Sequence, residues 1–134
     1  MTEEAHQLSI AHDRDGDFEV SPLSARFVTR DLGINAATQG RYHAYILKAN
    51  SAEGAKLGPH RHTGIDFQMV YILKGWLRFW FDGHGEILAE AGTCVLQPPG
   101  IAHEALEWSD DLELLEVTSP RHFETTPLDE TASE

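Results

Sequence analysis

Two histidines stand one residue apart at the head of an apolar run in GPHRHTGIDFQMVYILKG, Gly58 to Gly75, and Gln68 follows within the same run. An extended chain turns successive side chains to opposite faces, so His60 and His62 share a face while Arg61 points away from both. Gln68 has their parity. Asp66 has it too if the chain stays extended through Thr63-Gly64, where a bulge would break the alternation. Polar groups aimed into a packed interior are costly unless something satisfies them. A single divalent cation satisfies two imidazoles and an amide oxygen at once. A third imidazole, His103, follows the PPG turn in LQPPGIAHEAL. The prolines fix that turn and Gly100 lets the backbone reverse, so antiparallel strands can bring His103 opposite the first pair.

The remaining polar and aromatic residues carry weaker signals. His43 lies inside YHAYILKA and His84 in a glycine-rich turn, and both read as non-ligands; His6, His12 and His122 fall in polar ends and read as solvated. Arg78 interrupts an apolar strand and reads as half of a structural ion pair. Tyr71, Phe79, Trp80 and Trp108 read as packing residues. No clear general base stands beside the histidines, and Glu104, Glu107 and Tyr71 are the candidates. Cys94, the one cysteine, lies in the strand-like TCVLQ and reads as a buried small hydrophobe rather than a nucleophile.

Strands must position these groups. Residues 1–20 are polar and acidic, an N-terminal arm that gains order by pairing near Phe18 and Val20. ARFVT (25–29) reads as a short strand, and 31–41 as a loop with one helical turn. Next come YHAYILKA, a turn through Asn50–Gly54, the histidine segment with DFQMVYIL, a tight turn at Lys74-Gly75, GWLRFWF, a hairpin turn at DGHG, then EILA, TCVLQ, AHEALEW and LELLEVT. Short strands at regular spacing, with no 3.6-residue stripe, predict an all-β sandwich or barrel in one domain over 21–119. Residues 120–134 read as a frayed acidic tail. In GWLRFWF, Leu77, Phe79 and Phe81 face one way and Trp76, Arg78 and Trp80 the other. Two apolar faces both need cover: one lines the core, and the other needs a second sheet, the N-terminal segment or a partner subunit, on which ground a homodimer is predicted.

Composition excludes several partners. The net charge is −12 over 134 residues, but it is uneven. Residues 1–19 hold six acids and one base, 107–134 nine acids and one base, and 20–106 seven acids and eight bases. A near-neutral body with acidic ends lacks the basic surface that nucleic acid or an anionic membrane requires. A single cysteine permits no internal disulfide, which fits a reducing compartment. No signal-peptide pattern or membrane-length apolar run is present, and the expected location is the cytoplasm.

The residues also resemble the cupin superfamily, whose first motif is G-x5-H-x-H-x3,4-E-x6-G and whose second is G-x5-P-x-G-x2-H-x3-N. Gly54, His60, His62 and Gly75 fit the first; Gly92, Pro98, Gly100 and His103 fit the second. The resemblance spans about 42–118, with motifs at 54–75 and 92–107. It implies a small double-stranded β-helix (jelly-roll) barrel, usually dimeric, with a divalent metal (Fe, Mn, Ni or Zn) on His60, His62 and His103. The motif's glutamate position holds Gln68 when counted back from Gly75, and Asp66 when counted forward from His62. Gln68 is favoured, because QMVYILKG resembles the family's ExxYVLEG. The closing asparagine position holds Glu107.

Three neutral imidazoles and a neutral amide leave the charge of a divalent ion uncompensated. Such a site favours an anionic oxygen ligand, a carboxylate or enolate, and raises the potential of an iron centre. The expected function is a non-haem metal enzyme of dioxygenase type acting on a small organic acid or diketone. The alternatives are a metal-assisted isomerase or lyase, and a non-catalytic module that binds or senses a small ligand.

Overall fold

The computed structural model describes residues 6–13, 17–21, 24–50 and 58–128. Two antiparallel sheets pack face to face. The first has six strands: β1 (Glu19–Val20), β2 (Phe27–Asp31), β3 (His43–Ala49), β5 (Phe67–Lys74), β8 (Cys94–Leu96) and β10 (Glu113–Ser119), in the order β1-β2-β3-β10-β5-β8. The second has five: β4 (His60–Thr63), β6 (Trp76–Phe81), β7 (Gly85–Glu90), β9 (His103–Trp108) and β11 (Glu124–Pro127), in the order β11-β4-β9-β6-β7. This is the all-β jelly-roll expected from the strand spacing. One helical turn, α1 (Ile34–Ala37), interrupts the loop before β3, in the segment where the sequence predicts one.

Alternation sets the core. Leu77, Phe79 and Phe81 of β6 are buried while Trp76, Arg78 and Trp80 are half-buried, the division that period-two geometry demands. The inner residues meet Val70 and Ile72 of β5, Ala89 of β7, and Leu112 and Leu114 in one cluster between the sheets. The wall around the site is made of the same kind of side chain, so burying the core and enclosing the site are one process. Gly75, at the β5–β6 turn, has φ +75°, and a Cβ there would meet Ser109 Oγ at 2.2 Å. Both facts require glycine at the closing position of the first motif.

Several expectations need correction. The tail does not fray throughout: Glu124–Pro127 form β11, which pairs with β4 from Thr63 to His60. The pairing places a hydroxyl beside His62, a contact that the polar composition of the tail does not reveal. Cys94 is exposed rather than buried. It pairs with Tyr71 in the β5–β8 ladder, so it shares the outer face with Tyr71 while Val95 turns inward. The early strand begins two residues later than ARFVT suggests. The N-terminal arm does pair at Glu19–Val20, with Val28–Thr29 as partners. The turn at Asn50–Gly54 falls mostly outside the described residues, as do Gly54 itself and residues 129–134.

Candidate metal centre

His60 and His62 project from β4 into the space between the sheets, and Arg61 and Thr63 project outward. β9 runs antiparallel to β4 with His103 directly across from His60. The three rings therefore gather from two distant parts of the chain, with centroids 4.9 Å (His60–His62), 4.4 Å (His60–His103) and 5.0 Å (His62–His103) apart. One ring nitrogen from each lies within 4.8 Å of the others, and all three residues are buried.

Each ring is held by its other nitrogen. His60 Nδ1 lies 2.8 Å from Gly58 O, His103 Nδ1 3.0 Å from Ile101 O, and His62 Nδ1 2.9 Å from Thr125 Oγ1. A carbonyl oxygen only accepts, so Nδ1 of His60 and His103 must carry the proton and Nε2 must carry the lone pair. The Thr125 hydroxyl suits the same tautomer at His62. Burial drives all three imidazoles toward the neutral form. His62 is lowered to about 3, first by burial and then by the neighbouring imidazoles His103 and His60. His103 is lowered to about 4, first by burial and further by His60. His60 is lowered as well, mainly by burial.

The opposite sheet supplies amides and an acid. Gln68 of β5 is buried, and its Nε2 donates to Glu116 Oε2 at 2.7 Å. Glu116 Oε1 accepts from Tyr45 Oη at 2.6 Å. Because a carboxylate offers no proton to an amide oxygen, this contact fixes the rotamer of Gln68 and leaves Oε1 as its free end. Burial raises the Glu116 carboxyl, against the two hydrogen bonds that lower it. Burial and Glu116 together raise the Tyr45 hydroxyl well above its usual range.

These residues surround a cavity of about 130 Å³, whose remaining wall is chiefly apolar and includes Phe27, Leu77, Phe79, Trp108 and Phe123. Gln97 also lines it and is 3% exposed. Its backbone N–H donates to Gln68 O at 2.9 Å. Gln97 Oε1 is one of three buried side-chain polar atoms, with His43 Nδ1 and Thr118 Oγ1, that lack a hydrogen-bond partner among the described residues. The three belong to one row. Thr118 pairs with His43 on one side and Gln68 on the other, and Gln97 adjoins Gln68. A buried acceptor with no partner costs about 1–3 kcal/mol.

Residues 48–118, more than half of the chain, match the family described as the cupin domain. The chain belongs to the cupin family. Among solved structures, the polyketide cyclase RemF from Streptomyces resistomycificus is similar at TM-score 0.71 and 17% identity, covering 92% of this chain and 87% of its own. KdgF from Halomonas sp. follows at TM-score 0.66 and 21% identity, covering 85% of this chain and 96% of its own. An RmlC-like cupin from Shewanella frigidimarina has TM-score 0.60 and 14% identity, covering 86% and 93%. At these identities the likeness speaks to fold alone. No curated protein matches the sequence.

In this cupin the donor set fits a divalent ion. Three buried neutral imidazoles, each oriented by a hydrogen bond at Nδ1, present Nε2 lone pairs to a common space. Of the two candidates for a fourth donor, Gln68 turns into the cavity and Asp66 is exposed. Gly64, with φ +76°, breaks the extended run between His62 and Asp66, so the alternation does not carry through. His43 stands apart from the triad in the row beside Thr118, and His84 is exposed in the β6–β7 turn.

The proposed general bases do not line the cavity, although Glu104 is near enough to His60 to act on its charge. Tyr71 is on the outer face, Glu107 pairs with Arg78 at the surface, and Glu104 sits across from Trp80; none of the three lines the cavity. The acid that does is Glu116, which sequence reasoning misses together with Tyr45, Gln97 and Thr125. LELLEVT places Glu116 in phase with Leu114 and Thr118, but leucines on both faces of that strand conceal which face is inward. Glu116 is not one of the four donors, but it places an acid one hydrogen bond behind the amide.

Proposed function

We propose that this cupin is a metal-dependent enzyme that binds a small organic acid or diketone through its carboxylate or enolate oxygens and moves a proton on it. His60, His62 and His103, with Gln68 Oε1 as fourth donor, would hold the divalent ion. When bound, that ion supplies Lewis acidity, drawing electron density from the coordinated oxygens and so acidifying the adjacent C–H.

The observation that carries the reading is Glu116, a buried carboxyl inside the cavity, one hydrogen bond from Gln68 and one from Tyr45. Burial raises its proton affinity above that of an ordinary carboxylate, the direction a general acid–base group requires. Glu116 takes the proton from the carbon next to the carbonyl, holds it on a carboxyl oxygen, and returns it to a different carbon in an isomerisation. Tyr45 Oη steadies the charged form while the proton is away. The apolar wall excludes water, which strengthens these interactions and prevents loss of the proton to solvent. The four donors are neutral groups, so an anionic ligand remains the one that balances a divalent ion.

Hydrogen–deuterium exchange on a diketone tests this. Zinc- or manganese-loaded protein in D₂O is expected to speed loss of the α-proton signal of pentane-2,4-dione in NMR, and Glu116→Gln is expected to abolish the effect. Exchange at the uncatalysed rate with native protein would refute the reading.

Dioxygenase chemistry is the second reading. It is supported by a donor set of three imidazoles and no directly placed carboxylate, which leaves positions open on an iron ion for substrate and O₂. Oxygen uptake by iron-loaded protein in the presence of the diketone would select it.

The same reading takes the chain as a cytoplasmic homodimer. Support for the dimer comes from the outer face of β5 and β8, where Phe67 (40%), Tyr71 (38%), Leu73 (45%) and Leu96 (61%) lie exposed side by side.

A further inference from the structure

We infer that the bound acid carries a short apolar tail, and that Ala105 is the residue that leaves room for it. The inference rests on the reading of the site as one that binds a small organic acid, and it names the class of acid.

Strand register gives the cavity a direction. In the first sheet Gln68 pairs with Thr118 at one end, Glu116 pairs with Tyr45 and Val70 two residues back along β10, and Leu114 pairs with Leu47 and Ile72 two residues further. In the second sheet His103 lies across from His60 and Phe81, Ala105 across from Phe79, and Trp108 across from Leu77. The two series end together, where the rings of Phe27 and Trp108 meet at 4.6 Å. Nitrogen and amide donors thus stand at one end of the cavity, the acid in the middle, and hydrocarbon at the other end.

Ala105 is the small member of this lining, since every other strand residue on the cavity wall has a larger side chain. Its partner across the ladder, Phe79, is 4% exposed, yet Ala105 on the same inward face is only half-buried. A methyl group that faces inward between two sheets and still keeps accessible surface borders empty space. Interiors are otherwise close-packed, and a void forfeits contacts that a valine or leucine at this position would make. Ala105 stands one step from His103, as Glu116 stands one step from Gln68, and the Phe27–Trp108 pair lies beyond both. A ligand with its oxygens on the ion and its reacting carbon at Glu116 therefore sends its remaining carbons past Ala105 toward that pair. The cavity of about 130 Å³ fixes the scale: an apolar cavity of about 150 Å³ holds one benzene, so the tail is a few carbons long. A charged tail would lose its hydration against this wall without gaining a partner.

Zinc-loaded protein titrated calorimetrically with 2-oxopropanoate, 2-oxopentanoate and 2-oxopentanedioate tests this. The second acid is expected to bind about tenfold more tightly than the first, because two further methylenes enter the apolar end. The third has the carbon skeleton of the second but ends in a carboxylate, and it should bind no more tightly than 2-oxopropanoate. Ala105→Leu, which fills the void, should bring 2-oxopropanoate and 2-oxopentanoate within about threefold of each other. Zinc content should stay at the native value, and the melting temperature of the metal-free variant should hold or rise, as filling a cavity does. Should Ala105→Leu fail to fold, Ala105→Val carries the test, with the ratio expected to fall at least about twofold.

Equal binding of 2-oxopropanoate and 2-oxopentanoate by native protein overturns the inference while leaving the site reading intact. Binding of the dicarboxylate as tight as that of 2-oxopentanoate overturns the apolar tail, and an unchanged ratio in the folded variant overturns the role of Ala105. A clear drop in melting temperature or zinc content in Ala105→Val would place the side chain against atoms already there, which overturns the proposal too. Failure of all three acids, 2-oxopropanoate included, refutes the site reading and removes this inference with it.

Discussion

Gln68 and Glu116 meet across β5 and β10 with the amide nitrogen 2.7 Å from the carboxylate. That contact serves both residues, since Glu116 orients the amide so that its oxygen is free, and the amide steadies the charge on the acid. Glu116→Gln keeps the shape but removes the proton carrier. Proton exchange on a bound diketone should fall by about 10²–10⁴-fold, while zinc content, measured by elemental analysis, stays near native. Retained exchange would show that some other group carries the proton.

His62→Ala separates a metal site from a merely compact cluster of imidazoles. The native protein, purified without added metal, is expected to carry close to one equivalent of Fe, Mn, Ni or Zn. The variant should carry little, with affinity for added zinc reduced more than about tenfold. Equal metal content in the two proteins would remove the ion from the scheme.

Acid should destabilise the metal-free protein through the triad. His62 and His103 titrate at about 3 and about 4 in the fold, against 6.5 when unfolded, and His60 is lowered too. Between those values the unfolded chain binds more protons than the folded one, so stability rises with pH and is lost as pH falls from 6.5 toward 3. Glu116 acts oppositely: its raised pKa favours the fold below 4.5 and loses that contribution as pH rises. Three imidazoles outweigh one carboxyl, so the urea midpoint of metal-free protein should drop steadily from pH 7 to pH 4. Replacing His60, His62 and His103 by Gln should flatten the profile. An unchanged slope in that variant would assign the effect to groups elsewhere.

The strand architecture and the triad are legible in the sequence because each has a short-range signature. Period-two alternation in GWLRFWF divides buried Leu77, Phe79 and Phe81 from Trp76, Arg78 and Trp80, and the spacing of His60 and His62 places both on one face whatever the distant chain does. Glu116, Gln97 and Thr125 are not legible, because their roles depend on which strands become neighbours. Glu116 matters through a partner 48 positions away, and Thr125 through one 63 positions away. Composition misleads at the tail: ETTP reads as polar and frayed, yet threonines suit an edge strand that exposes one face. Cys94 misleads for a related reason, since a strand at the end of a sheet has an uncovered face even when its residues are apolar.

The outer face of β5 and β8 makes a separate prediction. Light scattering at micromolar concentration should report twice the mass of one 14.9 kDa chain. Leu96→Asp, placing a charge in the exposed apolar patch, should yield monomer without changing metal content. Tyr71→Glu should do the same, because its side chain lies on that face while Val70 beside it stays in the core. A monomeric native protein would leave the patch without this role.

Thr125 ties the C-terminal strand to the metal donors. Its hydroxyl is the hydrogen-bond partner of His62 Nδ1 at 2.9 Å, and β11 brings it there by pairing with β4. Groups that orient ligating imidazoles are worth about 10–100-fold in metal affinity, so Thr125→Val, which keeps the shape and removes the hydroxyl, should weaken zinc binding by about tenfold. Thr125→Ser restores the hydroxyl and should restore the affinity, which distinguishes orientation of His62 from packing of β11. Phe123, whose ring lies 4.9 Å from that of His62, provides the contrast: Phe123→Leu should alter binding of the organic ligand at the cavity wall but leave zinc affinity near native. If Thr125→Val matched native protein in zinc titrations, the Thr125 hydroxyl would not orient His62, and the backbone of Glu124 in the same strand would be left as the group that does.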